Sequence, residues 1–108
     1  MCEPVTLHEN NFGHIMKCHS CNLIQISLGN IITNVNDEGY EDLRKVFMKI
    51  ADDRQETGFD CSPSMRVMIK TPVEQFWMAF TKKEFEDALE LFEMSTLMMQ
   101  INNSLISN

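Results

Sequence analysis

The sequence of 108 residues predicts an α+β fold, in which two ββα units form one four-stranded, largely antiparallel sheet with both helices on one face. Two observations support this prediction: an apolar-rich hairpin pattern is followed by a helical pattern, and the same order recurs further along the chain. We therefore treat the chain as a single domain with three segments. These are an N-terminal arm (residues 1–17), a first ββα unit (18–53) and a second ββα unit (65–101).

The hairpin of the first unit is the clearest local signal. Two apolar-rich runs, residues 23–28 and 31–35, flank the two-residue turn Gly29-Asn30. Gly and Asn tolerate the positive φ that primed hairpin turns require, and a two-residue turn determines the strand register. The predicted opposed pairs are Leu28 with Ile31, Ile26 with Thr33 and Ile24 with Val35.

The N-terminal arm, by contrast, has only weak periodicity. We expect residues 1–17 to be extended or irregular, with at most a short strand near Phe12–Met16.

Each helix is predicted from its cap. Asn36 is suited to an N-cap before a helix over about residues 37–53, and Thr81 with Glu84 forms a capping box before a helix over about 82–101. Between them, residues 65–71 and 75–80 have the pattern of two strands. Alignment of Asn36 with Thr81 places similar residues over one another in both units, which favours an internal duplication.

Composition limits the functional classes. A formal net charge of −7 and a pI near 4.8 argue against nucleic-acid binding, because contacts to phosphates need clustered Lys and Arg. No apolar run approaches the ~20 residues of a membrane span, and the first residues lack the pattern of a secretory signal. We therefore expect a cytoplasmic protein that does not act at membranes, with its cysteines reduced.

The strongest chemical signal is Cys18-x-x-Cys21, whose spacing lets two thiolates bind one ion from a tight turn. Asn22 directly after it tolerates the left-handed conformation that such a turn needs. A zinc site would need further ligands, and His14, His8 and Cys2 lie just upstream. Two alternatives are reduced cysteines packed at the sheet end, and a redox-active dithiol. The predicted topology places Cys61 at the opposite sheet end, too far to share a disulfide or a metal ion with them.

Two apolar surfaces exceed the needs of a monomer. One lies on the predicted sheet face opposite the helices and the other on the C-terminal half of the last helix. We expect them to contact a second copy of the chain or another protein. The alternatives are the N-terminal arm or a small ligand near Trp77 for the sheet face, and additional core packing for the helix. The predicted contact residues are Leu23, Ile32, Met68, Trp77, Met94 and Met98.

The sequence also resembles a family of small bacterial single-domain proteins of unknown function. The resemblance covers most of residues 12–100. It rests on His14, Cys18, Cys21, the run Ile24-Gln25-Ile26-Ser27-Leu28-Gly29-Asn30, and the segments Lys70-Thr71-Pro72 and Phe80-Thr81-Lys82-Lys83-Glu84. It implies a bacterial, cytoplasmic origin and no particular activity.

The resulting hypothesis is a non-enzymatic binding or regulatory module, dimeric, with a structural zinc ion at the Cys18–Cys21 turn. The alternative is a thiol-dependent redox protein that uses the same two cysteines. No Gly-x-Ser-x-Gly, phosphate-binding glycine loop or His-Glu-x-x-His pattern occurs, so we predict no catalytic residues. The substrate class, the partner and the strand order do not follow from the sequence.

Overall fold

The computed structural model describes residues 3–57, 67–70 and 75–106, with the side chains of 54–57 and 103–106 left aside. Within these ranges the protein is α+β, with a four-stranded antiparallel sheet, a separate two-stranded sheet and two helices. In chain order the elements are β1 (Val5–Glu9), β2 (Gly13–Cys18), β3 (Leu23–Leu28), β4 (Ile31–Val35), α1 (Asp37–Thr57), β5 (Val67–Lys70), β6 (Trp77–Phe80) and α2 (Lys82–Ile106).

The main sheet has the order β1-β2-β3-β4, and every neighbouring pair is antiparallel. The predicted register of the β3–β4 hairpin is confirmed, because Ile24 lies opposite Val35 and Leu28 opposite Ile31. The turn between these strands contains Gly29 at φ +61°, as primed turns require.

The N-terminal arm is more regular than predicted: the short strand expected near residues 12–16 is observed as β2, residues 5–9 form a further strand, β1, and β2 occupies the edge of β3. In β1, a register shift between Thr6 and His8 interrupts the alternation of side chains. Because of this irregularity, Leu7 is buried while His8 lies opposite Ile15, so the simple period of two is lost.

The two predicted hairpins also do not share one sheet. The edge of β3 is taken by β2, and β5–β6 pairs only with itself in the described part of the chain. The predicted strands 65–71 and 75–80 are observed as the shorter β5 and β6, and residues 58–66 and 71–74 lie outside the described ranges. The internal duplication therefore stays a prediction.

Both helix caps are confirmed. The backbone N–H of Gly39 donates to the side-chain oxygen of Asn36 (2.8 Å). At the second helix, the N–H of Glu84 donates to Thr81 Oγ1 (3.1 Å), and the N–H of Thr81 donates to Glu84 Oε1 (2.7 Å). Each pair satisfies backbone donors that the first turn of a helix leaves without partners.

One hydrophobic core joins the main sheet, both helices and β5–β6. The side chains of Ile24, Ile26 and Leu28 point from β3 to the core, and this side of the sheet is called the inner face. The ring of Phe47 in α1 lies 4.9 Å from Phe92 in α2 and 5.8 Å from Phe80 in β6, measured between centroids. The opposite side of the main sheet, called the outer face, carries the candidate site.

Candidate functional site

The Cys18–Cys21 turn connects β2 to β3 at one end of the main sheet. Cys18 is the last residue of β2 and lies opposite Leu23, the first residue of β3. Asn22 has φ 56°, which confirms the predicted left-handed residue after the pair. The turn places Cys18 in a buried position, with 6% of its surface exposed, and Cys21 in an exposed one.

The two sulfur atoms are in different chemical states. Cys18 is disulfide-bonded, whereas Cys21 is not part of a disulfide. The hydroxyl of Ser20 lies 3.3 Å from Cys18 Sγ, and the hydroxyl donates because a disulfide sulfur carries no hydrogen. The expectation that Cys18 is reduced is therefore corrected. Cys2 and Cys61, both part of the predictions about this site, lie outside the described residues.

A surface pocket of about 220 Å³ opens beside this turn on the outer face. Side chains on alternate positions of a strand point to the same face, so Met16 and Cys18 of β2 enter the pocket together. Leu23 and Gln25 of β3 do the same on the neighbouring strand. The residues that line the pocket are Pro4, Met16, Cys18, Cys21, Leu23, Gln25 and Asn34.

The two predicted histidine ligands lie away from the turn. His14 Nε2 is hydrogen-bonded to Gln25 Oε1 (3.2 Å) and is four positions before Cys18, which corresponds to ~13 Å along a strand. His8 Nε2 is hydrogen-bonded to Glu90 Oε1 of α2 (2.9 Å). This bond and one from Asn10 hold the pKa of Glu90 below its usual value. Among the described residues, no group of three or more His, Cys, Asp or Glu side chains could hold a metal ion.

All of the predicted contact residues except Met98 are exposed, but the four predicted to share a sheet face lie on two different sheets. Leu23 (41% exposed) and Ile32 (63%) lie on the outer face of the main sheet. Met68 and Trp77 lie on the exposed side of the β5–β6 hairpin, and Met94 lies on α2. Met98 is partly buried against the core. The sequence pattern predicts one sheet face for Leu23, Ile32, Met68 and Trp77. The structure divides these residues between the main sheet and the β5–β6 hairpin.

The sequence reasoning did not find Met16, Gln25 and Asn34 as site residues. The spacing of Met16 could have identified it. Met16 is two positions before Cys18, and in a strand these two side chains point to the same face. Gln25 is next to the predicted Ile24 and Ile26, and it points to the opposite face. The missing information was the strand identity of residues 13–18.

A model of a family of unknown function (DUF6686) matches residues 1–108. No curated protein and no solved structure matches the chain. In the part of the chain that the structure describes, neither helix has a stretch long and apolar enough to cross a membrane.

Proposed function

We propose that this chain, which belongs to that family of unknown function as the resemblance indicated, is a non-enzymatic binding module. The family supplies no activity, so the support comes from the structure. Its contact surface is the outer face of the main sheet. The observation that carries the proposal is the pocket beside the Cys18–Cys21 turn, together with the exposed apolar side chains that adjoin it.

The chemistry of the outer face supports a protein partner. An antiparallel sheet that faces water on one side normally presents polar side chains there. Here Ile32 and Leu23 are exposed, and Ile32 is two positions from Asn34 at the pocket on the same strand. Gln25 and Asn34 provide neutral amides that can bind a peptide backbone. The net charge of −7 favours a partner other than nucleic acid.

Photo-crosslinking in the source cells tests this proposal. A photoreactive amino acid replaces Ile32 on the outer face in one variant and Lys45, which is exposed on α1, in a control variant. We expect a discrete crosslinked protein from position 32 and none of the same mass from position 45. Identical adducts from both positions, or none from position 32, would contradict an outer-face binding surface.

A second function, thiol-dependent redox chemistry, is favoured by the different states of the two cysteines. Cys18 is held in a disulfide and Cys21, in the same pocket, is exposed and outside any disulfide. A thiolate of Cys21 can attack the sulfur of Cys18, which forms a Cys18–Cys21 disulfide and releases the former partner of Cys18 as a thiolate. The exchange is redox-neutral and needs no added oxidant.

Glutathione buffers of graded redox ratio test this second function. We expect the disulfide state of Cys18, measured by alkylation and peptide mass spectrometry, to respond faster in the wild-type protein than in Cys21→Ser. His19→Gln serves as the matched control, because His19 is an exposed residue of the same turn and the change removes no thiol. Equal rates for wild type and Cys21→Ser would exclude a role for Cys21.

Zinc at the turn stays a prediction, as do the cytoplasmic location and the bacterial origin. The described residues offer two cysteine sulfurs and neither histidine, so a tetrahedral zinc ion needs its remaining ligands from outside the described ranges. The Cys18 disulfide weighs against a strongly reducing compartment, since disulfides are rare there. Elemental analysis of protein purified without chelator tests the zinc prediction directly.

A further inference from the structure

Three sulfur-containing side chains line the outer-face pocket: Met16, Cys18 and Cys21. Met16 and Cys18 point to the same face of β2, with Cα atoms ~7 Å apart. Cys21 reaches the same pocket from the turn, where Asn22 with φ 56° directs the chain back into β3. The side chains of one methionine and two cysteines, of which Cys18 is in a disulfide, thus line one pocket, although the sequence pattern links only the two cysteines.

We infer that, once the Cys18 disulfide is reduced, this pocket binds a soft monovalent metal ion, Cu(I), through Met16 Sδ and the sulfurs of Cys18 and Cys21. Thiolate and thioether ligands select Cu(I) among the biological transition metals. The site lies in the pocket that also belongs to the proposed contact surface, but it uses only the sulfur ligands and does not require a protein partner.

The ligand set distinguishes Cu(I) from zinc. A structural zinc site is almost always four-coordinate and uses cysteine, histidine or carboxylate ligands, never a thioether as a standard ligand. The described residues supply no histidine or carboxylate to the pocket, and its other polar lining groups are the amides of Gln25 and Asn34. Cu(I) is satisfied by a set of few sulfur ligands, and Pro4 and Leu23 contribute apolar side chains to the pocket lining.

The site forms only after a thiol reductant has opened the Cys18 disulfide. Two molecules of a monothiol reductant lose two hydrogens in total and become one disulfide, and Cys18 and its former partner become thiols. Cu(I) then replaces the thiol protons of Cys18 and Cys21, which pass to solvent. The Ser20 hydroxyl, 3.3 Å from Cys18 Sγ, is placed to donate to the resulting thiolate.

An anaerobic competition titration tests the inference. The full chain is reduced with a phosphine and titrated with Cu(I) in the presence of a chromophoric Cu(I) chelator. We expect the wild-type protein to take one Cu(I) per chain from the chelator. Met16→Leu, which keeps the side-chain volume but removes the sulfur, should bind about tenfold more weakly or worse. Met68→Leu removes an exposed methionine that does not line the pocket and should bind as the wild type does.

Several results would overturn the inference. No transfer of Cu(I) to the wild type would do so, as would equal affinities for wild type and Met16→Leu. A further contrary result is that the reduced protein binds zinc that Met16→Leu does not weaken and Cu(I) does not displace. That result would show a zinc site in place of the inferred Cu(I) site. Cys18→Ser and Cys21→Ser should each abolish binding, and if either fails to fold, the comparison of the two Met→Leu variants decides. Loss of the crosslink at position 32 leaves this titration unchanged, so the two proposals fail separately.

Discussion

Gly13 lies so close to β3 that no other residue fits at its position. A Cβ atom added to Gly13 would lie 1.8 Å from the carbonyl oxygen of Ser27, a backbone atom that cannot move without separation of the strands. Gly29 is required for a different reason, because its φ of +61° is disfavoured for residues with a Cβ atom. Glycine is therefore needed at position 13 for steric reasons and at position 29 for its backbone conformation. Both positions lie at the same end of the main sheet.

We expect Gly13→Ala to destabilise the protein far more than Gly29→Ala. The left-handed backbone makes Gly29→Ala cost ~1–2 kcal/mol, whereas Gly13→Ala forces β2 from β3. Urea unfolding followed by circular dichroism measures both. Gly39→Ala, in the first turn of α1, is the comparison: its added Cβ would lie 3.0 Å from Val35 Cβ, a side-chain atom rather than the backbone of a paired strand, so we expect a smaller loss than for Gly13→Ala. Equal losses for Gly13→Ala and Gly29→Ala would show that β2 does not pack as described.

At the scale of elements, Tyr40 connects the two helices. Its hydroxyl donates to the carbonyl oxygen of Phe92 (3.1 Å) and lies 2.9 Å from Thr96 Oγ1, so the start of α1 is tied to the middle of α2. Burial disfavours the phenolate and raises the pKa of Tyr40 above its usual value, although the Thr96 hydrogen bond and the charge of Arg44 act in the opposite direction.

This raised pKa predicts a loss of stability in alkali. The unfolded tyrosine has a pKa of ~10, so the stabilisation is fully present below that pH and is lost as the pH rises through the higher folded value. We expect the free energy of unfolding to fall above about pH 10 in the wild type and less steeply in Tyr40→Phe. At neutral pH, Tyr40→Phe should cost about 0.5–1.5 kcal/mol.

The sequence contains a single tyrosine, so the absorbance of phenolate reports Tyr40 directly. Thr96→Val is the control, and it should raise the pKa of Tyr40 further because it removes a hydrogen bond that lowers it. A folded protein in which Tyr40 titrates at the ordinary value would contradict the buried contact between the helices.

At the scale of the whole molecule, charge is distributed unevenly. The net charge is −7, yet residues 94–108 contain no charged side chain. Within this region, Met94 (38% exposed), Leu97 (46%) and Ile101 (44%) follow one another at helical spacing along α2. Because the chain has a net charge of −7, like-charge repulsion opposes a contact between two copies least at this apolar stripe.

We therefore expect a homodimer that forms through the α2 stripe. Native mass spectrometry and sedimentation should show a dimer for the wild type and a monomer for Leu97→Asn. Met68→Asn makes the same kind of change on the exposed side of β5–β6 and should stay dimeric. A monomeric wild type, or a Met68→Asn variant that dissociates as Leu97→Asn does, would contradict the stripe as the interface.

The sequence by itself determined the features that depend on neighbours along the chain. The β3–β4 register follows from the Gly29-Asn30 turn, and the helix starts follow from the caps at Asn36 and Thr81. The left-handed Asn22 likewise follows from its place after the Cys18–Cys21 pair. Each of these involves contacts within a few residues, so the sequence pattern contains the whole interaction.

Only the tertiary structure decided which strands pair and which side chains meet. The irregularity in β1 made the β1–β2 hairpin unrecognisable in the sequence pattern. Without that hairpin, neither the strand order of the sheet nor the position of Met16 beside Cys18 could be predicted. Because residues 13–18 form an extended strand, His14 lies away from the cysteines, although it is near them in the sequence. Strand pairing is a competition between segments far apart in the chain, and the free energy that settles it comes from the shared core, which no local pattern contains.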